Sequence, residues 1–246
     1  MNPILPLWLM HSWFSIARTS YDDEKYVKLV CDCMDRLSES QRTDPSEKTC
    51  GESCNTRKSS YMCQAGCSDG RCGNQLLRRR QPAVELEIFQ TADRGLGVRT
   101  LEDIKAGTQI IEYVAEVISS EEYVRRSKIC AGRPRYFMDL PKTEAYLDAT
   151  FGGNESRFIN HACGKAANCR SQKMVVLKLP PQAPNSRVSD LDDPDVSMSE
   201  EEEVHVIIVA KNNILKNSEL TLCYGKAELE KILATVCKCY ACKSTV

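Results

Sequence analysis

The sequence predicts a β-rich α+β fold of several small sheets with a small cysteine module at each end. Three observations lead there. Apolar and polar residues alternate over short runs, as in Val84-Glu85-Leu86-Glu87-Ile88, which fits a half-buried strand. Glycines at 95, 97 and 107 punctuate those runs at turn spacing. Two cysteine groups, residues 31–72 and 237–242, bracket this middle region.

Length and charge set the frame. The 246 residues allow one large domain, or one medium domain with small appendages. A formal net charge of −1 names no partner, so any nucleic-acid contact must come from a local patch. Residues 1–16 are apolar but broken by Pro3, Pro6 and His11, too short and interrupted to span a bilayer. They read as a packing segment or a misplaced start, with a signal peptide as the minor alternative.

Fourteen cysteines is a high count for this length, and they serve either as disulfides or as thiolates on metal. The first group is Cys31-x-Cys33, Cys50-x3-Cys54, Cys63-x3-Cys67 and Cys72. Paired short spacings let two sulfurs reach one ion, and zinc takes four tetrahedrally. Seven sulfurs serve two ions if one bridges, whereas an odd count suits disulfides poorly; a secreted disulfide knot stays open as the alternative. The segment has little apolar periodicity, so metal or disulfides must hold its shape. The C-terminal group, Cys237-x-Cys239-x2-Cys242, offers three ligands and needs a fourth from elsewhere.

Between the groups, Arg78, Arg79 and Arg80 form a basic patch that either meets phosphates or is simply solvated. Gln109 to Val114 reads as a second strand. Ser119 to Lys128 reads as a short helix with Ser119 or Ser120 as N-cap and glutamates in its first turn. Residues 180–203 combine prolines with a run of acids and read as a disordered insert between strands. Val204 to Ala210 is continuous and apolar, hence a buried strand.

Five segments resemble, in order and separation, the motifs of SET-domain methyltransferases. Glu155 to Cys163 (ESRFINHAC) is similar to their RFxNHSC signature, and Glu219 to Gly225 (ELTLCYG) to ELTxDYG. Arg94-Gly95-Leu96-Gly97 is similar to the cofactor turn, Glu112 to Glu116 to the EYxGE segment, and Leu147 to Thr150 to IDAT. The seven-cysteine group resembles the AWS module that precedes SET in one subgroup, and the last cysteines resemble its post-SET knuckle. The resemblance implies an N-terminal segment (1–26), AWS (27–78), SET (79–226, insert about 180–203) and post-SET (227–246).

It implies the SET fold, with a C-terminal pseudoknot of the Asn160 and Tyr224 segments. It also implies an enzyme that moves methyl groups from S-adenosylmethionine to a lysine of histone H3, typically lysine 36, on nucleosomes. The setting implied is the nucleus and chromatin, with no membrane; nonspecific DNA contact rests on Arg78 to Arg80 alone, for which a solvated basic face is the alternative. Arg94, Gly95 and Leu96 would contact the cofactor largely through backbone. Asn160 and His161 would hold its amino-acid and adenine parts, Arg135 and Tyr136 would line the same pocket, and Arg157 would brace it. Tyr224 would be the principal catalytic residue, with Tyr113 and Tyr136 lining the lysine channel through cation–π attraction. Cys163 would complete the C-terminal zinc site with Cys237, Cys239 and Cys242, giving three zinc ions in all. Cys223 stands where the motif has aspartate, Ala115 where it has glycine, Asn217 at a usual turn glycine and Lys226 at a frequent aromatic. Cys223 and Ala115 motivate a rival reading: a chromatin-binding module without turnover.

Overall fold

The structure is a computed structural model that describes residues 31–44, 47–63, 67–79, 81–129, 136–140, 143–178 and 201–224. Within it the chain forms two compact units: residues 79–172 with 206–224, and residues 31–78 with 173–178 and 201–205.

In the first unit, β1 (Leu86–Gln90) and β2 (Leu96–Thr100) form an antiparallel hairpin, register Ile88↔Val98. The first strand starts two residues later than the alternation predicts and is partly buried on both faces. Gly95 closes the hairpin at φ +70, a conformation that costs glycine nothing. Gly107, at φ +80, makes the expected turn into β3 (Gln109–Glu112).

The largest sheet has the order β3-β9-β8-β10-β7, with β7 (Asn160–His161), β8 (Cys169–Lys178), β9 (Glu201–Ala210) and β10 (Thr221–Leu222). Val206 to Ala210 are all buried, which is why that run is apolar without alternation. The acidic run was expected to stay disordered to residue 203, but Glu201 to Glu203 belong to β9. Ladder pairing overrides the charge there; the rest of the insert lies outside the described residues. Two motif segments meet because β10 pairs parallel with β7, Thr221↔Asn160 and Leu222↔His161. Asn168 stitches the join: its amide donates to the Glu219 carbonyl at 2.8 Å and accepts from the Thr221 N–H at 2.8 Å. Val98, Ile110, Ile159, Ile208 and Leu220 fill the core behind it.

The third sheet, β4-β6-β5, comprises β4 (Glu116–Ser119), β5 (Phe137–Asp139) and β6 (Ala145–Asp148). One α-helix packs on it, Ser120–Ile129, here α1. The Ser119 hydroxyl caps it by accepting from the Glu122 N–H. Tyr123 stacks on Tyr146 with ring centroids 4.0 Å apart. Arg126 gathers three carboxylates, Glu116, Glu122 and the fully buried Asp148, at 2.6–2.7 Å. The guanidinium groups of Arg125 and then Arg126 hold the Glu122 carboxyl down at about 2, against an ordinary 4.5. A depressed carboxyl stabilises above its unfolded pKa and loses that contribution as it protonates. Helical signal of α1 is therefore expected to drop as pH falls from 4.5 towards 2, and Glu122→Gln should flatten that limb in a circular-dichroism titration. Among the described residues no helix is long and apolar enough to cross a membrane.

The second unit carries two short helices, α2 (Glu39–Thr43) and α3 (Asn55–Lys58), and a third turn of helix, α4 (Leu76–Arg79). Ser38 and Gln41 close a capping box on α2. The unit's buried centre is made of sulfur rather than hydrocarbon: six cysteines are buried together, with Cys31 partly buried against them.

Candidate functional site

The first unit holds one candidate site, built where the hairpin, β7 and β10 converge. Arg94 reaches 125 residues along the chain to pair with Glu219 at 2.6 Å, and donates to the His161 carbonyl at 3.3 Å. Asn160 spends both amide hydrogens, one on the Leu96 carbonyl at 2.9 Å and one on Glu219 at 3.0 Å. Gly97 sits beneath. A β-carbon there would lie 2.8 Å from Thr91, 2.9 Å from the Glu219 carboxylate and 3.1 Å from the Asn160 amide. The two glycines thus serve different needs, left-handed φ at Gly95 and clearance at Gly97.

This difference is testable. Gly97→Ala should cost about 1–3 kcal/mol by overpacking. Gly95→Ala has open space around its β-carbon and meets only the left-handed φ penalty, about 1–2 kcal/mol. Thermal melts should fall in both variants, with Gly97→Ala the one that also displaces the Glu219 and Asn160 side chains.

His161 is buried, and its imidazole pKa is pushed down, first by burial and further by the Arg94 charge. Its Nδ1 accepts from the Tyr224 N–H at 3.1 Å, so the neutral ring carries its proton on Nε2. Nε2 lies 3.1 Å from the Cys163 sulfur, which suits a donor facing a thiolate. Tyr224 donates its hydroxyl hydrogen to the Ile159 carbonyl. Tyr113 donates to the Tyr136 carbonyl at 2.8 Å. Burial pushes both phenols above their ordinary pKa, so neither is a phenolate near neutrality. Each hydroxyl, its proton spent on a carbonyl, keeps oxygen lone pairs for a further contact.

Arg157 lies with its guanidinium 4.4 Å from the Tyr136 ring and 4.9 Å from the Phe158 ring, and its buried Nε has no hydrogen-bond partner among the described residues. One face of Tyr136 is therefore taken by an arginine, which removes that face from any cation–π contact with a substrate. Cys223, next to Tyr224, is exposed, and the contacts that place Tyr224 come from His161 and Ile159. Arg135, Cys237, Cys239, Cys242 and Lys226 lie outside the described residues.

The second unit holds the cysteine cluster. Cys31, Cys33, Cys50 and Cys54 converge as one possible ligand set, and Cys31, Cys50, Cys63 and Cys67 as another. Cys31 and Cys50 belong to both, so either is placed to bridge. Observed sulfur separations are 3.4 Å (Cys31–Cys50), 3.5 Å (Cys31–Cys67) and 3.6 Å (Cys50–Cys67). A tetrahedral zinc with bonds of about 2.3 Å sets its sulfurs about 3.8 Å apart, whereas a disulfide needs about 2.05 Å. Those separations are too long for a disulfide bond and close to the spacing of sulfurs that share one ion. Hydrogen-bond donors also aim at sulfur: Asn74 donates its amide to Cys63 at 3.3 Å and its backbone N–H to Cys72 at 3.4 Å, and Arg36 donates to Cys33 at 3.4 Å. Without a cation, burial pushes the Cys31 thiol up to about 12 and those of Cys33 and Cys67 to about 11. A dication reverses that cost, and the donor set fits zinc.

Three residues escape the motif reading. Glu219 and Asn168 hold the first site together, and the fully buried Asn74 serves the sulfur cluster. Glu219 opens a quoted motif, but its partners lie too far away in sequence to be inferred.

Comparison with known proteins follows the same lines. Residues 95–225 match the family model described as SET domain. The chain is 36% identical over 153 residues to a Mus musculus protein, "Histone-lysine N-methyltransferase SETD2"; this covers 61% of the chain and 6% of the relative. It is 31% identical over 238 residues to a Mycosarcoma maydis protein, "Histone-lysine N-methyltransferase, H3 lysine-36 specific", covering 91% of the chain and 21% of the relative. The chain thus spans a small part of these relatives. The solved structure titled "crystal structure of KRYPTONITE in complex with mCHG DNA and SAH" is similar over 67% of this chain and 28% of that one, at 25% identity and a TM-score of 0.44.

Proposed function

Because the chain belongs to the SET-domain family, we propose that it is a protein-lysine methyltransferase that acts on histone H3 within nucleosomes, at lysine 36. The observation that carries this reading is the meeting of Asn160, His161, Arg94 and Tyr224 in one site, from segments far apart in the chain. The names of its relatives support the histone substrate and lysine 36. Chromatin in the nucleus is the matching setting, and Arg78 to Arg80 are the candidates for nonspecific phosphate contact.

S-adenosylmethionine, when bound, supplies an electrophilic methyl on a sulfonium. Its amino-acid end carries an ammonium and a carboxylate, which fit the Asn160 amide oxygen and the Arg94 guanidinium. Gly95 and Leu96 offer backbone at the same place, and Arg135 and Tyr136 belong to the same proposed pocket. The residues then have three tasks. The first is to strip the substrate ammonium of its proton, because only the neutral amine has a lone pair. Burial and the Arg157 charge both favour that loss, as each lowers an ammonium pKa. The second is alignment, since displacement requires nitrogen, methyl and leaving sulfur in line; the Tyr113 and Tyr136 rings would form the channel walls. The third is stabilisation of spreading positive charge. The Tyr224 hydroxyl oxygen, its proton committed to the Ile159 carbonyl, presents lone pairs for that purpose.

The metal part of the proposal is three zinc ions: two in the seven-cysteine cluster, one on Cys163, Cys237, Cys239 and Cys242. The deciding experiment follows label from S-adenosylmethionine into recombinant nucleosomes with the zinc-loaded chain, beside Tyr224→Phe. Label in histone H3 at lysine 36, lost in the variant, is the expected result. Cofactor and nucleosome binding without any transfer would overturn the enzyme reading in favour of a non-catalytic chromatin module.

A further inference from the structure

We propose that Glu219 is a positioning residue: its carboxylate fixes which atom of the Asn160 amide faces the cofactor and pins Arg94 onto the Gly95 turn. The proposal rests on the methyltransferase reading above and deepens it.

The argument is one of hydrogen-bond supply. The Leu96 carbonyl only accepts, and so does a carboxylate paired with a guanidinium. Both lie within 3.0 Å of the Asn160 amide nitrogen. The nitrogen therefore has both hydrogens spent, and the oxygen is the polar atom of that amide left for a ligand. An oxygen receives an ammonium donor; a flipped amide would oppose it with N–H. Leu96 alone supplies one anchor, about which the amide can pivot. Glu219 supplies the second, and the amide plane is set.

The other carboxylate oxygen holds Arg94 at 2.6 Å, and Arg94 also reaches the His161 carbonyl. One acid therefore joins the turn, the Asn160 amide and, through Arg94, the strand that carries His161. The pair is only partly exposed, with side chains at 20% and 23%, so solvent screens it less than a surface ion pair. The absence of a side chain at Gly97 is part of the same device, since any β-carbon would press on both the carboxylate and the amide.

The test measures S-adenosylmethionine binding by calorimetry, and KM and kcat on nucleosomes, for the zinc-loaded wild type, Glu219→Gln, Arg94→Ala and the double variant. Glu219→Gln should weaken binding by about tenfold or more, with KM for the cofactor rising in parallel and kcat at saturation moving far less. The double variant should be little worse than the poorer single one, because the two changes remove a shared interaction. Wild-type affinity in Glu219→Gln, additive losses, or a lower melting temperature with unchanged KM would each overturn the proposal. Should Glu219→Gln not fold, Glu219→Asp keeps the charge but withdraws it by one methylene. It is expected to show the same split at smaller size, and wild-type affinity in it overturns the proposal too. Failure of the wild type itself to bind the cofactor is a different result, and counts against the methyltransferase reading.

Discussion

Replacing Cys50 with serine is expected to unfold the second unit. Cys50 is buried and belongs to both ligand sets of the cluster. It also sits at φ +56, a left-handed conformation that costs a non-glycine residue about 1–2 kcal/mol. Contacts through its sulfur must hold it there. The unit has few alternatives to metal, because its centre is sulfur and its helices are too short to stand alone. Structural zinc contributes folding free energy of about 10 kcal/mol or more, so loss of a shared ligand should exceed the stability of so small a unit. Zinc per chain should fall, and residues 31–78 should become the first protease-sensitive region. Chelation of the wild type should reproduce both effects and release thiols to a thiol reagent. Unchanged zinc content and protease resistance in Cys50→Ser would remove the metal from the account of this unit.

The physical content of the sequence explains why some features were legible and others were not. Local rules were read correctly where one residue decides the outcome. Gly95 and Gly107 take positive φ, Asn217 takes φ +67 at a turn usually given to glycine, and Ser119 caps its helix. Paired cysteine spacings anticipated a convergent cluster because a thiolate site needs little beyond proximity. The end of the acidic insert was misplaced because strand pairing, a tertiary term, outweighed the local charge of Glu201 to Glu203. Glu219 was missed for a related reason. The residue opens a quoted motif, but nothing near it in sequence reveals partners 59 and 125 positions upstream. The stacking of Arg157 on Tyr136 was equally invisible, and it changes what the Tyr136 ring can offer a lysine.

Tyr224→Phe should lower methyl transfer by about 10²–10³-fold while leaving cofactor affinity nearly intact, because the lost oxygen is needed most as charge develops. It should also cost about 1–3 kcal/mol of stability, since the buried Ile159 carbonyl loses its donor. The two effects separate by temperature: the rate defect should persist far below the melting transition, the folding defect should not. Tyr113→Phe frees the Tyr136 carbonyl in the same way, so it serves as a control for losing a buried phenol. The pH behaviour sharpens the comparison. Burial raises the Tyr224 pKa above the ordinary 10, so folding favours the neutral phenol. Stability should fall as pH rises above 10, because the unfolded chain ionises there first, and Phe at position 224 should weaken that limb. Below pH 10 the hydroxyl does not titrate, so the rise of rate with pH should follow the substrate amine, with the same midpoint in wild type and variant. A midpoint that shifts with the substitution would make Tyr224 the proton acceptor, and the lone-pair role derived from its bond to Ile159 would have to be abandoned.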